Sequence, residues 1–232
     1  MGEPSRHPPP AHPRAVTDRP TAAVVVMAKA PRPGHVKTRL APLLGHDGCA
    51  RLAAALLQHS VSVAVASGLE VTVAFDPPDG RAEIAALLPA GVGLEAQAPG
   101  DLGQRMAAAA ARPLGQGHPV VLIGTDAPTL TSASLLAAAR ELRRVDAVFG
   151  PAADGGYYLL GLSRPAPGLF ALGSRWGGPE VLDASLVAAR RAGLSVSRLE
   201  TRRDLDTPDD AAALAADERV PAGLRRLLGV GA

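Results

Sequence analysis

The sequence has few of the residues on which several classes of protein depend. Its 232 residues include one cysteine, Cys49, which excludes an intramolecular disulfide framework and a cysteine-rich zinc site. Aromatic residues make up 3% of the chain and the arginines are scattered, so nucleic-acid binding is disfavoured. We find no apolar run of transmembrane length and no secretory signal at the N-terminus. We therefore expect a cytoplasmic protein with no nucleic-acid and no membrane partner.

The composition favours one large folded domain. Hydrophobic residues make up 47% of the chain and the formal net charge is only +2. Residues 1–20 are rich in proline and lack periodic apolar positions, so we predict a disordered tail there. Residues 21–232 are predicted to form a single domain, and the sequence leaves its oligomeric state open, a homodimer included.

Short apolar strands alternate with helical patterns along most of the chain. This alternation predicts βαβ units, and therefore an α/β fold whose mainly parallel mixed sheet is sandwiched by helices. The segment 157–162 returns from a turn and is predicted to run antiparallel to its neighbours. Strands are predicted at 22–27, 71–75, 92–96, 120–126, 147–149, 157–162 and 195–199. Helices are predicted at 48–67, 81–88, 101–111, 132–144, from 179 onward and at 208–216.

The central predicted strand is Val120–Asp126, an apolar β-branched run that ends in Gly-Thr-Asp-Ala-Pro. Ligands of open α/β sheets bind beyond the carboxyl ends of the strands, where Asp126 lies. A carboxylate there can bind Mg²⁺ or Mn²⁺. The alternative is that Asp126 caps the next helix, although Thr131 and its Ser/Thr neighbours could supply that cap.

A basic loop follows the first strand. Lys29, Arg32, Lys37 and Arg39 lie close together, and their mutual repulsion favours an anionic partner such as a phosphate. The loop is neither a Walker A motif nor a dinucleotide-binding glycine motif. A merely solvated basic loop is the alternative.

Two glycine-containing segments are further candidates for ligand contact. Gly103 and Arg105 lie in the first turn of a predicted helix, where glycine permits either close approach of a base or ribose, or close helix packing. Asp154, Gly155 and Gly156 form a predicted turn whose backbone could lie against a ligand. An ordinary Asp-Gly turn is the alternative there.

Two further carboxylates precede the last predicted helix. Asp204 and Asp206 are two residues apart, so an extended backbone turns both to one face, and they could complete a metal site with Asp126. Asp209 and Asp210 fall in the first helical turn, where acidic residues favour the helix dipole.

Four segments together resemble one family. They are MAKAPRPGHVKTRL (27–40), GTDAPTL (124–130), GPAADGGYYLLGL (150–162) and DLDTPDD (204–210). They resemble the bacterial arsenosugar-biosynthesis-type glycosyltransferase-like proteins, also described as radical-SAM/selenodomain-associated transferases. That family has the GT-A fold of nucleotide-diphospho-sugar transferases, shared with molybdenum-cofactor nucleotidyltransferases and 2-phospho-L-lactate guanylyltransferase. This chain departs from the family pattern at Gly178, where a threonine is common.

The resemblance implies a role for each candidate residue. Lys29, Lys37 and Arg39 would hold nucleotide phosphates, and Asp126 would bind the metal together with Asp204 or Asp206. Asp154, Gly155 and Gly156 would line the sugar or acceptor side. We count Asp126, Lys37 and Asp154 as the candidate catalytic residues.

Three functions are compatible with these residues. The first is a transferase that uses Mg²⁺ or Mn²⁺, binds a nucleotide-sugar and passes the sugar to a small-molecule acceptor. The second is a nucleotidyltransferase that releases pyrophosphate from a nucleoside triphosphate. The third is an inactive nucleotide-binding module, against which the retention of every acidic candidate argues.

Overall fold

Within residues 22–229, seven strands form one mixed sheet. They are β1 (Ala23–Lys29), β2 (Glu70–Asp76), β3 (Gly93–Ala96), β4 (Val120–Ile123), β5 (Ala147–Pro151), β6 (Tyr157–Leu162) and β7 (Val196–Arg198). Their order across the sheet is β3-β2-β1-β4-β6-β5-β7. β6 pairs antiparallel with β4 and β5, and the other pairs are parallel. The predicted mixed sheet and the reversed direction of 157–162 are therefore confirmed.

Helices cover both faces of this sheet. They are α1 (Ala41–Ala66), α2 (Arg81–Ala85), α3 (Leu102–Gly115), α4 (Ser132–Glu141), α5 (Val181–Arg191), α6 (Pro208–Ala215) and α7 (Ala222–Leu227). α1, α2 and α4 contribute to the core on one face, and α3 and α5 to the core on the other. A third apolar cluster joins the first half of α1 to α6 and α7. The computed structural model describes residues 22–229, so the tail predicted over 1–20 lies outside the described residues.

The inner strands are built from apolar residues that serve both layers. Val24 and Val26 of β1 belong to the core beneath α1, whereas Val25 belongs to the opposite core. All four residues of β4 are buried. Because both faces of these inner strands are buried, their sequences are continuous apolar runs rich in β-branched residues.

The order of the strands creates a crevice beside β1. From β1 the chain moves outward through β2 and β3, and then returns to β4 on the other side of β1. A reversal of this kind separates the connections that follow the two central strands. The segments after Lys29 and after Ile123 therefore lie on either side of an opening at the carboxyl edge of the sheet.

Several element boundaries differ from the prediction, among them the following three. α1 begins at Ala41 rather than at residue 48, with a non-helical break at Gly45, where φ is +67°. β4 ends at Ile123, so Asp126 lies in the following loop and not at the last strand position. α5 begins at Val181, because residues 179–180 remain in the preceding turn.

Among the described residues, one helical span passes the test of length and composition for crossing a membrane. It covers Thr38–Ala66, within which an 18-residue stretch has a mean hydropathy of 1.4. The expectation that no segment approaches this length is therefore wrong. The span belongs to the fold, since Leu52, Leu56, Leu57 and Val61 are buried against the sheet and its covering helices. It fits a core helix.

Candidate functional site

A cleft of about 780 Å³ opens at the crevice beside β1 and β4. Its volume falls within the roughly 300–1,000 Å³ of typical ligand sites. It is lined by nine of the candidate residues, namely Lys29, Lys37, Arg39, Arg105, Asp126, Asp154, Gly156, Asp204 and Asp206. The carboxyl edge of the sheet thus brings together five segments that are far apart in sequence.

Lys37 is the most enclosed basic side chain of this cleft. Its side chain is 7% exposed, and its Nζ lies 2.6 Å from Oδ1 of Asp126. Nζ also donates to the carbonyl oxygen of Leu205 at 2.5 Å. Lys37 is the one non-glycine residue in the described range 22–229 with a positive φ, +49°. Its carbonyl accepts a hydrogen bond from the Cys49 thiol, which helps to hold this left-handed conformation.

The two C-terminal carboxylates have different surroundings. Leu205 is fully buried between them. Burial, together with the charges of Asp126 and Asp154, raises the pKa of Asp204 to about 7. Asp206 instead forms an ion pair with Arg39 at a more exposed position, with Nη1 of Arg39 2.7 Å from Oδ2 of Asp206. Asp204, Asp126 and Asp154 therefore form an acidic group in which negative charge is only partly compensated.

Arg202 joins the segments that carry these acids. Its guanidinium donates to the carbonyl oxygen of Thr129 and, at 3.0 Å, to the Ser134 hydroxyl, both beyond Asp126. Its backbone exchanges hydrogen bonds with Pro151 and Ala153, which lead into the turn of Asp154. Because its side chain is only 9% exposed, Arg202 is a buried junction of the three segments.

The acidic group fits a hard divalent cation only in combination with a ligand. Among residues 22–229, no three His, Cys, Asp or Glu side chains are arranged to hold a metal by themselves. Mg²⁺, however, commonly takes one or two carboxylates and completes its coordination with water and substrate phosphates. Oδ1 of Asp204 is buried and has no hydrogen-bond partner within residues 22–229, which leaves it available to bind a cation. Asp126 and Asp204 are the two carboxylates that suit this role.

The helix-capping alternative for Asp126 is wrong. Thr131 caps α4, because its side chain accepts a hydrogen bond from the backbone N–H of Ser134. Asp210 does have the structural role expected of it, since it forms a capping box with Thr207 at the start of α6.

Arg32 does not belong to the cleft, contrary to the sequence prediction. Its guanidinium forms ion pairs with Glu83 at 2.6 Å and with Asp79 at 3.2 Å. These bonds attach the basic loop to the start of α2, and the hydrogen bond from Arg32 lowers the pKa of Glu83. The positive charge of Arg32 is thus compensated within the protein.

Gly103 and Gly155 serve packing rather than ligand contact. A Cβ on Gly103 would lie 2.1 Å from the Phe170 carbonyl oxygen and 2.7 Å from Nε1 of Trp176. A Cβ on Gly155, where φ is +90°, would lie 1.9 Å from the Pro179 carbonyl oxygen. Both predicted ligand contacts are therefore corrected. The two glycines allow the loop 170–179 to pack closely against α3 and the turn of Asp154.

Gly156 and Arg105 lie at the cleft, where they make bonds within the protein. The Gly156 backbone N–H donates to the side chain of Asp154 at 2.9 Å, which closes the turn. Arg105 donates to Asp76 at 3.1 Å and to the Gly100 carbonyl oxygen at 2.9 Å. Arg105 therefore joins the start of α3 to the end of β2.

The cleft also has an apolar wall that the sequence prediction missed. It consists of Met27, Leu102, Met106, Tyr157 and Trp176. Tyr157 packs edge-on against Trp176, with ring centroids 6.4 Å apart. No local sequence signal identifies such a wall, because its members come from four separate elements. The one local indication is Trp176, the single tryptophan of the sequence, which lies in a glycine-rich loop.

A family model described as "Uncharacterized protein conserved in bacteria (DUF2064)" matches residues 56–178, which span α1 to the Trp176 loop. The chain belongs to this family. Its matched part contains Asp126 and Asp154, whereas the basic loop and Asp204 lie outside it. No curated protein matches the chain.

Solved structures of other proteins have the same fold. A protein of Desulfovibrio desulfuricans G20, provisionally described as a nucleotide-diphospho-sugar transferase, is 31% identical, covers 89% of this chain and 93% of its own, with a TM-score of 0.82. Rv0371c of Mycobacterium tuberculosis H37Rv is 23% identical over 84% of this chain and 97% of its own, with a TM-score of 0.56. CMP:2-keto-3-deoxy-manno-octonic acid synthetase is 13% identical over 84% of this chain and 96% of its own, with a TM-score of 0.53. The DUF2064 chain thus has the α/β fold of nucleotide-diphospho-sugar transferases and related nucleotidyltransferases.

Proposed function

We propose that this protein is a metal-dependent transferase that binds a nucleotide-sugar in the cleft and passes the sugar to a small-molecule acceptor. One observation carries the proposal. The basic side chains of Lys29, Lys37 and Arg39 line the same cleft as the acidic group of Asp126, Asp154 and Asp204. This combination suits a diphosphate held between cationic side chains and a divalent cation.

The basic side chains would bind the diphosphate. Lys29 is exposed at the end of β1 and Arg39 is 70% exposed, so both can reach a ligand without disturbing the core. Lys37 is already inside the cleft beside Asp126. As the bond between sugar and diphosphate breaks, negative charge grows on the leaving phosphate, and these cations would stabilise it there.

Asp126 and Asp204 would hold a Mg²⁺ or Mn²⁺ ion. Such an ion, when bound, neutralises charge on a departing diphosphate. A manganese complex of Rv0371c, 20% identical to this chain, supports a divalent cation in this fold. The buried, unpartnered oxygen of Asp204 supports it from the chain itself.

The sugar and acceptor would lie toward Asp154 and the Trp176 loop. Asp154 is exposed at the cleft, where its carboxylate can accept a hydrogen bond from a hydroxyl group. Gly156 leaves backbone accessible beside it, and Tyr157 and Trp176 offer apolar surface. The motif resemblance to arsenosugar-biosynthesis-type transferases is in keeping with a small acceptor. Gly178 provides no hydroxyl contact where threonine is common.

Nucleotidyl transfer is a second candidate. The same three basic side chains could hold the β- and γ-phosphates of a nucleoside triphosphate, with pyrophosphate as the leaving group. The structure of CMP:2-keto-3-deoxy-manno-octonic acid synthetase, a protein of this fold, is a complex with CTP. The diagnostic product would then be pyrophosphate rather than a nucleoside diphosphate.

A product assay distinguishes the two candidates. The protein is incubated with Mn²⁺ and either a panel of nucleotide-sugars or the nucleoside triphosphates, with water as a default acceptor. Nucleoside diphosphate formed from one nucleotide-sugar supports glycosyl transfer, and pyrophosphate formed from one triphosphate supports nucleotidyl transfer. In either case Asp126→Asn should abolish the product, whereas Asp209→Asn, on the exposed side of α6, should not. Failure of both ligand classes to bind or react would contradict the proposal.

A further inference from the structure

The ammonium group of Lys37 has surroundings that resemble those of a metal ion. Its Nζ lies 2.6 Å from a carboxylate oxygen of Asp126 and 2.5 Å from the carbonyl oxygen of Leu205. The charge of Lys37 also acts on the Asp204 carboxyl. Carboxylate and carbonyl oxygens are the ligands that Mg²⁺ and Mn²⁺ prefer. Lys37 therefore places its positive charge among oxygens suited to a divalent cation.

The backbone holds Lys37 in this inward position. Its φ of +49° is uncommon for a residue with a side chain. The Lys37 carbonyl accepts hydrogen bonds from the Leu40 backbone N–H at 2.8 Å and from the Cys49 thiol at 3.2 Å. Lys29, the last residue of β1, is exposed. One lysine therefore faces solvent at the end of the strand, and the loop that follows directs the other toward Asp126.

We propose that Lys37 is the resident counter-ion of Asp126 and competes with a divalent cation for this carboxylate. In the free protein its ammonium group neutralises Asp126, so a cation alone binds weakly. When a nucleotide polyphosphate enters, the ammonium group moves to phosphate and leaves Asp126 to the cation. Cation and nucleotide consequently bind with positive coupling.

The two halves of this inference have different foundations. The transfer of Lys37 to phosphate rests on the proposed function. The competition at Asp126 rests on the ion pair, the carbonyl contact and the burial of Lys37, and it can be tested without any nucleotide. A permanent structural ion pair makes the opposite prediction, because its loss would leave cation binding unchanged or weaker.

Amine labelling tests the displacement in the wild-type protein. Lys29 and Lys37 are the only lysines in the sequence, so Lys29 serves as an internal control. A brief pulse of acetic anhydride, read by peptide mass spectrometry, should modify Lys29 rapidly and Lys37 slowly. Bound Mn²⁺ should accelerate labelling of Lys37 several-fold and leave Lys29 unchanged. An unchanged Lys37 rate, while electron paramagnetic resonance shows Mn²⁺ bound, would overturn the proposal.

Direct binding measurements test the competition. Without nucleotide, Lys37→Met should bind Mn²⁺ about tenfold more tightly than the wild type, since a charge-assisted contact no longer has to be broken. Lys37→Arg should not gain affinity, and Asp126→Asn should abolish the gain. Arg39→Met controls for general loss of positive charge and should change the affinity less. Unchanged or weaker Mn²⁺ binding by folded Lys37→Met would overturn the proposal, and Lys37→Gln provides a second variant.

Adding a nucleotide to the labelling experiment separates this inference from the proposed function. Addition of UDP, GDP or CTP with Mn²⁺ should protect Lys37 from acetic anhydride again. If Mn²⁺ exposes Lys37 but none of these nucleotides restores protection, the competition is supported and the transfer to phosphate is overturned. If Mn²⁺ binds without exposing Lys37 while nucleotide turnover is intact, the counter-ion inference fails alone.

Discussion

The backbone N–H of Leu205 donates a 2.8 Å hydrogen bond to the carbonyl oxygen of Asp126. This bond attaches the segment before α6 to the loop after β4, with the Leu205 side chain fully buried. The two acids that flank Leu205 have unequal surroundings. Asp204 is turned into the acidic group, whereas Asp206 is paired with Arg39 near the surface.

The first prediction follows from this inequality. Asp204→Asn should raise the metal concentration required for half-maximal activity more than Asp206→Asn does, because Oδ1 of Asp204 is buried with no hydrogen-bond partner among the described residues, whereas Asp206 pairs with Arg39. Asp209→Asn should leave the metal midpoint unchanged, with a helix-end effect on stability of about 0.3–1 kcal/mol. Metal titrations of the three variants provide the test. A shift in Asp209→Asn alone would refute the assignment.

The second prediction concerns the divided basic loop. Arg39→Ala should weaken nucleotide binding about tenfold through loss of a charge-assisted contact. Arg32→Ala should leave the affinity unchanged, because Arg32 lies outside the cleft and pairs with Glu83 and Asp79. Isothermal titration with the same nucleotide compares the two variants. Equal losses would mean that Arg32 leaves its carboxylate partners to bind the ligand.

The third prediction concerns Arg202. Arg202→Met should lower the free energy of unfolding by about 1.5–3 kcal/mol, because it leaves buried hydrogen-bond partners unsatisfied. Urea denaturation measures this loss. Arg203→Met is the matched control, since Arg203 is 47% exposed and pairs with Asp210 at the surface. A similarly small loss in the free energy of unfolding of both variants would contradict the role of Arg202 as a buried junction.

The fourth prediction is a pH dependence of stability. Arg164 and the backbone N–H and hydroxyl of Ser195 bind the Asp146 carboxylate, and they hold its pKa well below the usual range. A depressed pKa in the folded state stabilises the protein above the pKa of the unfolded state, about 3.9. That stabilisation is lost as the pH falls toward the folded value. Wild type should therefore exceed Asp146→Asn in stability at about pH 7, and the gap should shrink below about pH 4.

The main elements of the fold could be predicted because each leaves a local signal. The valines of β1 and the apolar run of β4 mark buried strands, and Thr207-Pro208 marks the start of α6. The start of α1 could not be placed, since Gly45 interrupts its first turns with a positive φ. α7 was missed altogether, because its six residues show too little periodicity.

The sequence predicted most residues of the candidate site, but not the residues that they contact. Arg32 was assigned to the predicted phosphate site because of its charge. The sequence does not show that Glu83 lies next to it in the folded protein. Gly103 was ambiguous for a similar reason, because its neighbour Trp176 comes from a distant loop. The burial that separates Asp204 from Asp206 likewise depends on long-range packing.

Ligand-induced stabilisation of the wild-type protein tests the central claim most directly. Nucleotide-sugars and nucleoside triphosphates are screened by thermal shift with and without Mn²⁺. A ligand at a hundredfold excess over its Kd should stabilise the folded state by about 2.7 kcal/mol. We predict such a shift for at least one of these nucleotides, strengthened by Mn²⁺ and lost in Asp126→Asn. Absence of any shift with every nucleotide, with and without Mn²⁺, would contradict it.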